Sequence, residues 1–130
     1  SFIEKNYISN KIKYGWDNSN NEGYNDLNQL DQFLQINEIS KKRYHIFDFD
    51  EQKFPIHNFD VLISIYSLDY HYSFDIYSAY LKKVMKNNSL LIFDTIRPEY
   101  FKRIFKYVEI IKEDTNTVHK SKRIVCKNYL

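Results

Sequence analysis

One segment restricts the fold of this chain more than any other: residues 47–64, which read FDFDEQKFPIHNFDVLIS. An acidic residue, Asp48, ends one apolar run, a short loop carries Phe54-Pro55, and Phe59-Asp60 begins a second apolar run. The second run, residues 60–66, is almost continuously apolar and rich in β-branched side chains, which is typical of a strand covered on both faces. The segment therefore predicts two strands of a parallel sheet.

Strands and helices alternate along the rest of the chain. Apolar residues at helical spacing predict helices at residues 26–38, with Asn25 as the N-cap, and at residues 73–86 and 98–106. The remaining strands are predicted at residues 2–4, 44–48, 90–94, 108–112 and 122–127. This alternation predicts an α/β fold with a mostly parallel sheet and helices on both faces.

The last two predicted strands are joined by too short a segment for a parallel connection. Only residues 113–121, which are polar, lie between them. A parallel crossover needs a dozen or more residues, usually including a helix. The final strand is therefore predicted to run antiparallel to its neighbours.

Composition and charge exclude several kinds of partner and site. The 19 basic and 17 acidic residues are interspersed, so no nucleic-acid surface is predicted. No apolar run approaches the roughly 20 residues of a membrane span, so we expect no membrane partner and a cytoplasmic protein. The single cysteine, Cys126, excludes an internal disulfide, and we expect it to be an inert buried thiol. The histidines at 45, 57, 71 and 119 lack metal-ligand spacing, so no metal is predicted.

These features resemble class I (Rossmann-like) methyltransferases that depend on S-adenosyl-L-methionine (SAM). Their matching segment reads Asp, three residues, a polar or small residue, Phe-Pro, a few polar residues and Phe-Asp-Val-Val, and residues 48–62 follow that order with one more residue before Phe54-Pro55. An antiparallel final strand is a further mark of their fold. The resemblance implies that residues 1–130 are a partial domain, from the family's second strand to its last. It would lack the first strand, which is central in the sheet, and the glycine-rich cofactor turn.

A weaker resemblance concerns the methyl acceptor. The segments GYNDL, YSLDYHY and HKSKRIVC are similar to segments of bacterial sugar O-methyltransferases. This implies O-methylation of a sugar or another small molecule that bears a hydroxyl group. Because one wall of the cofactor pocket would be missing, we expect the chain alone to bind SAM weakly or not at all and to be inactive. The oligomeric state does not follow from the sequence.

The resemblance implies a set of cofactor-binding residues at the carboxyl ends of the strands. Glu4 would accept hydrogen bonds from the ribose hydroxyls, and Asp48 would accept one from the adenine amino group. Phe49 would contact the adenine ring, and Tyr66 and Ser67 would contact the methionine part of SAM. The alternatives are an ordinary surface glutamate at position 4 and a strand-end aspartate that satisfies nearby backbone groups at position 48.

Two residues between the second apolar run and the following helix are candidate catalytic groups. His71 could remove the proton from an acceptor hydroxyl, because its reference pKa of about 6.5 suits a base at neutral pH. A lone histidine can equally be structural. Asp69 is the second candidate base, or the residue that orients the base.

Three further residues are candidate contacts to the acceptor. Tyr70 and Tyr72 could line its pocket or simply pack against neighbouring side chains. Arg97, near a predicted helix N-terminus, could bind a carboxylate or phosphate. Its alternative role is an ion pair with Asp94 or Glu99.

Two other classes of function fit parts of the pattern. A non-catalytic, degenerate Rossmann-like module could pair with another chain through an open sheet edge. A different nucleotide-binding α/β enzyme, such as one that uses a nucleotide sugar, is disfavoured by the antiparallel last strand.

Overall fold

The computed structural model describes residues 1–4, 26–48, 51, 53–70, 72–113 and 120–130. The chain divides into two compact units, Ser1–Pro55 and Ile56–Leu130, and each is described by itself. Within the described residues, no helix has the length and apolar character that a membrane crossing requires.

The first unit holds a pair of short parallel strands and one helix. Strand β1 (Phe2–Glu4) pairs in parallel with β2 (Ile46–Asp48). Helix α1 (Leu27–Ile36) begins at Asp26, whose side chain accepts a hydrogen bond from the Asn28 N–H at 2.9 Å. Asp26 is therefore the N-cap, one residue later than the predicted Asn25, which lies outside the described residues.

The second unit is built on a four-stranded sheet. Its strands are β3 (Phe59–Ser64), β4 (Met85–Thr95), β5 (Phe105–Glu113) and β6 (Lys122–Tyr129), in the order β3-β4-β6-β5. Strand β3 is parallel to β4, whereas β6 is antiparallel to both β4 and β5. Three strands thus share one direction and the final strand opposes them, which confirms a mixed α/β unit with an antiparallel last strand.

The two helices of this unit are shorter than their sequence patterns predict. Helix α2 (Phe74–Val84) ends where Met85 becomes extended, so β4 begins five residues earlier than expected. Helix α3 (Pro98–Phe101) is a single turn, and Phe105 begins β5 instead of continuing the helix to residue 106. Phe105 is 1% exposed and lies beside Tyr129, with 4.4 Å between ring centroids. Sheet pairing buries that ring, and this overrides the helical spacing.

An aromatic cluster forms the core of the second unit. Phe74 of α2 meets Phe93 of β4 at 5.9 Å and Phe101 of α3 at 4.9 Å between ring centroids. The described helices of this unit contribute to this one core. The opposite sheet face carries Val61 and Ile63, which are 47% and 63% exposed, so the described residues of this unit do not show the expected helix on each face.

We expect Cys126 to resist thiol reagents in the native protein. Its side chain is fully buried on β6, and burial raises the pKa of the thiol to about 12. Because only the thiolate is nucleophilic, Ellman's reagent at pH 8 should label Cys126 far more slowly in buffer than in denaturant. Equal labelling rates in the two conditions would show that β6 is not part of the core.

Candidate functional site at the carboxyl ends of the strands

The first unit brings two predicted acidic residues to neighbouring strand ends. Glu4 is the last residue of β1 and Asp48 the last of β2, and the parallel register places them opposite each other. Adjacent strands lie about 4.8 Å apart, so the two residues are close. Asp48 is 8% exposed. An ionised Asp48 carboxylate is an acceptor-only group, so this strand end suits a ligand that donates hydrogen bonds.

The segment that follows β3 has an unusual backbone. Tyr66 and Asp69 have φ angles of 53° and 62°, in the left-handed region that favours glycine. A non-glycine residue there pays roughly 1–2 kcal/mol, so other contacts must hold it. The Tyr66 N–H donates to the Asp94 carboxylate at 3.0 Å, and the Leu68 N–H donates to the Ser64 hydroxyl at 2.9 Å. The segment is therefore pinned to the ends of β3 and β4.

An ion pair joins the buried Asp69 carboxylate to the partly exposed Arg97. The Asp69 side chain is 1% exposed and receives the Thr95 hydroxyl at 2.6 Å and Arg97 Nε at 3.1 and 3.2 Å. Arg97 Nη2 also donates to Asp69, and this hydrogen bonding raises the pKa of Arg97. Arg97 is thus paired with Asp69 rather than with Asp94 or Glu99. Since both carboxylate oxygens accept hydrogen bonds, this geometry suits Asp69 as an anchor for the loop better than as a base.

A second ion pair, between the buried Asp94 carboxylate and Arg123, was not foreseen from the sequence. Arg123 Nε and Nη2 donate to the two Asp94 oxygens at 3.0 and 3.1 Å, and Asp94 is 2% exposed. Hydrogen bonding to Asp94 raises the pKa of Arg123. The sequence held one signal for this pair, because an arginine at the start of an apolar strand segment, Arg123-Ile124-Val125-Cys126, needs an acidic partner when it is buried.

Tyrosine side chains surround the same loop. Tyr66 and Tyr70 meet edge to face with 5.7 Å between ring centroids, and Tyr72 meets Tyr77 in the same way at 6.3 Å. The Ser67 carbonyl accepts hydrogen bonds from the Tyr70 and Tyr72 N–H groups at 3.2 and 3.1 Å. Burial raises the pKa of Tyr70, and the electrostatic interaction with Tyr66 raises it further to a smaller extent. Tyr66 and Tyr72 remain 38% and 42% exposed, so their rings can still contact a ligand.

Two carboxylates at this end of the second unit are each paired with an arginine. Asp69 is balanced by Arg97 and Asp94 by Arg123. The Arg97 guanidinium also lies over the Tyr100 ring, 4.2 Å from its centroid, in a cation–π contact. Among the described residues, no group of three or more His, Cys, Asp or Glu side chains could hold a metal ion. Among the described residues at this end, the two buried carboxylates are therefore each paired with an arginine, beside exposed tyrosine rings.

The structure brings together most, but not all, of the predicted site residues. Within the second unit it gathers the predicted residues of the β3–α2 loop and of the turn after β4: Tyr66, Ser67, Asp69, Tyr70, Tyr72 and Arg97. Phe49 and His71 lie outside the described residues, as does His119. Glu4 and Asp48 belong to the first unit.

Comparisons with known proteins assign the chain to no family. No protein-family model, curated protein or solved structure matches it. The class of the protein therefore follows from its own fold. It is a mixed α/β protein with acidic and aromatic residues at the carboxyl ends of its parallel strands, where ligands bind in open α/β sheets.

Proposed function

We propose that the chain is part of a SAM-dependent methyltransferase. The observation that carries this proposal is the register of the first unit, which sets Glu4 opposite Asp48 at adjacent carboxyl ends. A nucleoside offers ribose hydroxyls and an adenine amino group to such a pair of acceptors. Glu4 would bind the ribose and Asp48 the adenine amino group, in keeping with the resemblance of residues 48–62 to these enzymes.

The second unit supports the same proposal. Its antiparallel last strand, inserted between β4 and β5, agrees with the methyltransferase pattern. The aromatic surface formed by Tyr66, Tyr70 and Tyr72 suits a sulfonium cation, because ring faces attract cations. Methyl transfer needs little covalent help from a protein beyond holding donor and acceptor in line. Aromatic walls are therefore sufficient for this chemistry.

The acceptor in this proposal is a hydroxyl group of a sugar or of another small molecule. His71 would remove the hydroxyl proton as the methyl group is transferred, and Asp69 would hold the loop that carries it. Because the charges of Asp69 and Arg97 cancel, we expect the acceptor to be neutral and Arg97 not to bind a carboxylate or phosphate. A cytoplasmic location goes with this proposal.

An alternative is a non-catalytic module that pairs through a sheet edge. Strand β3 ends the four-stranded sheet, and among the described residues no strand pairs with its outer edge. The β3 side chains Val61 and Ile63 are 47% and 63% exposed. An uncovered edge with apolar side chains favours association with another strand. In the methyltransferase proposal, the family's first strand would pair with this edge, whereas in the alternative a strand of a different chain would pair with it.

Calorimetric titration of SAM tests the proposal. We expect saturable binding by the full-length product of the gene and weak or no binding by residues 1–130. In the full-length protein, Asp48→Ala should lower the affinity for SAM about tenfold or more. Asp60→Ala is the matched control, because the Asp60 side chain is 92% exposed and lies at the amino end of β3, whereas the candidate site lies at carboxyl ends. Absence of binding by both proteins would refute the methyltransferase and favour the interaction module.

A further inference from the structure

The left-handed backbone at Tyr66 depends on one carboxylate. Tyr66 is the second residue after β3, and its φ of 53° is a conformation that few residues other than glycine adopt readily. Its N–H donates to Asp94 Oδ2 at 3.0 Å. A hydrogen bond to a buried, charged acceptor is among the stronger ones in proteins, so it can maintain a turn that the side chain disfavours.

Asp94 is itself held in place by the neighbouring strand. Its register partner on β6 is Arg123, whose Nε and Nη2 bond the two carboxylate oxygens at 3.0 and 3.1 Å. A bidentate pair of this kind fixes the plane of the carboxylate as well as its position. The Oδ2 atom then accepts hydrogen bonds from both Arg123 and Tyr66. Strands β4 and β6 and the loop after β3 are thus linked through one side chain.

We infer that Asp94, oriented by Arg123, is a positioning residue that sets the shape of the loop after β3. The turn at Tyr66 directs the chain so that the Leu68 N–H reaches the Ser64 hydroxyl and the Asp69 N–H reaches the Tyr72 carbonyl, at 2.9 and 2.7 Å. The same loop presents its tyrosines at the ligand end of the strands. Its effect on SAM affinity rests on the proposed function, whereas its effect on loop shape does not.

Making the same substitution with and without Tyr66 separates a positioning role of Asp94 from a contribution to overall stability. The double variant Asp94→Ala/Arg123→Met removes the acceptor of the Tyr66 N–H without leaving an unpaired buried charge, so the fold should survive. The same change is then made in a Tyr66→Gly background. Glycine adopts positive φ at no steric cost, so the loop should no longer need the carboxylate. Asp60→Asn is the control for loss of an aspartate charge on the same sheet.

Amide NMR on the whole chain reads out the loop directly. With Tyr66 retained, the double variant should shift the Leu68 and Asp69 amide resonances and speed the hydrogen exchange of these amides about tenfold or more. In the Tyr66→Gly background the same change should have little effect, and Asp60→Asn should have none in either. Equal effects in the two backgrounds would overturn the inference, because Asp94 would then act through the ion pair alone. Unchanged loop amides would overturn it as well.

SAM affinity provides the second readout. In a protein that binds SAM, the double variant should weaken SAM binding about tenfold when Tyr66 is retained. In the Tyr66→Gly background, adding the double variant should weaken binding by less, relative to Tyr66→Gly alone. Absence of SAM binding by the unsubstituted protein would contradict the proposed function only, since the amide measurement would still decide the positioning role. SAM affinity unaffected by the double variant, in a protein that binds SAM, would count against positioning.

Discussion

Replacing Phe74 with alanine is expected to lower the free energy of unfolding by about 3–5 kcal/mol. The Phe74 side chain is fully buried, and its ring meets those of Phe93, Phe101 and Phe105 with centroid separations of 4.9 to 6.0 Å. Truncation removes apolar contacts from all three rings at once. The cavity left behind lies between a helix and a sheet, which can close around it only in part. Urea denaturation followed by far-UV circular dichroism measures the change.

The neighbouring helix position Ile76 supplies the control. Ile76 lies on α2 as well but is 72% exposed, so Ile76→Ala should change the free energy of unfolding by about 0.5 kcal/mol or less. A comparable loss for both variants would mean that helix propensity, and not the aromatic core, dominates the stability of this unit. In that case the packing described for Phe74 would be wrong.

The second large effect is expected at Asp69. We expect Asp69→Ala to lower the free energy of unfolding by about 2–3 kcal/mol, because it leaves the Arg97 guanidinium and the buried Thr95 hydroxyl without their acceptor. The Arg97 side chain is 42% exposed, so water can solvate part of it, and the loss falls below that of a fully buried pair. Urea denaturation at neutral pH again gives the value.

Asp75→Ala is the matched control for this prediction. Asp75 is an exposed aspartate on α2 that accepts one hydrogen bond from the Tyr100 hydroxyl at 2.8 Å, and its loss should cost under about 1 kcal/mol. If Asp69→Ala proved as mild as Asp75→Ala while methyl transfer by the full-length protein was abolished, Asp69 would be a base and not an anchor. A large stability loss supports the anchoring role.

Local patterns predicted the helices and strands of this chain well, but not their ends. The strands around residues 46–48, 59–64 and 122–129 and the helix at 74–84 lie where apolar spacing places them. Helix α3 is the main error. Its apolar positions at Phe101, Ile104 and Phe105 fit helical spacing, yet pairing of Phe105 with Tyr129 on β6 makes residue 105 the start of a strand. Spacing within one segment carries no information about such a partner.

In the candidate site, too, local features can be predicted from the sequence and long-range partners cannot. Acidic residues at strand ends, such as Glu4, Asp48 and Asp94, and in the following loop, such as Asp69, can be recognised in the sequence. Their partners cannot, since Arg97 bonds Asp69 across 28 positions and Arg123 bonds Asp94 across 29. In the sequence, Arg123 ends a short basic run beside a strand start, a pattern that favours a solvated strand edge, whereas the structure places its guanidinium on the buried Asp94 carboxylate.

The sequence by itself determined which segments form helices and strands, and that the last strand reverses direction. Those properties depend on side-chain periodicity and on connection length, both of which are local. Only the tertiary structure decided that β6 inserts between β4 and β5, that Glu4 lies opposite Asp48, and that two arginines neutralise the aspartates behind the loop. Sheet order, register and ion pairing depend on contacts between residues far apart in the chain, because many pairings bury similar apolar area and only the complete packing selects one of them.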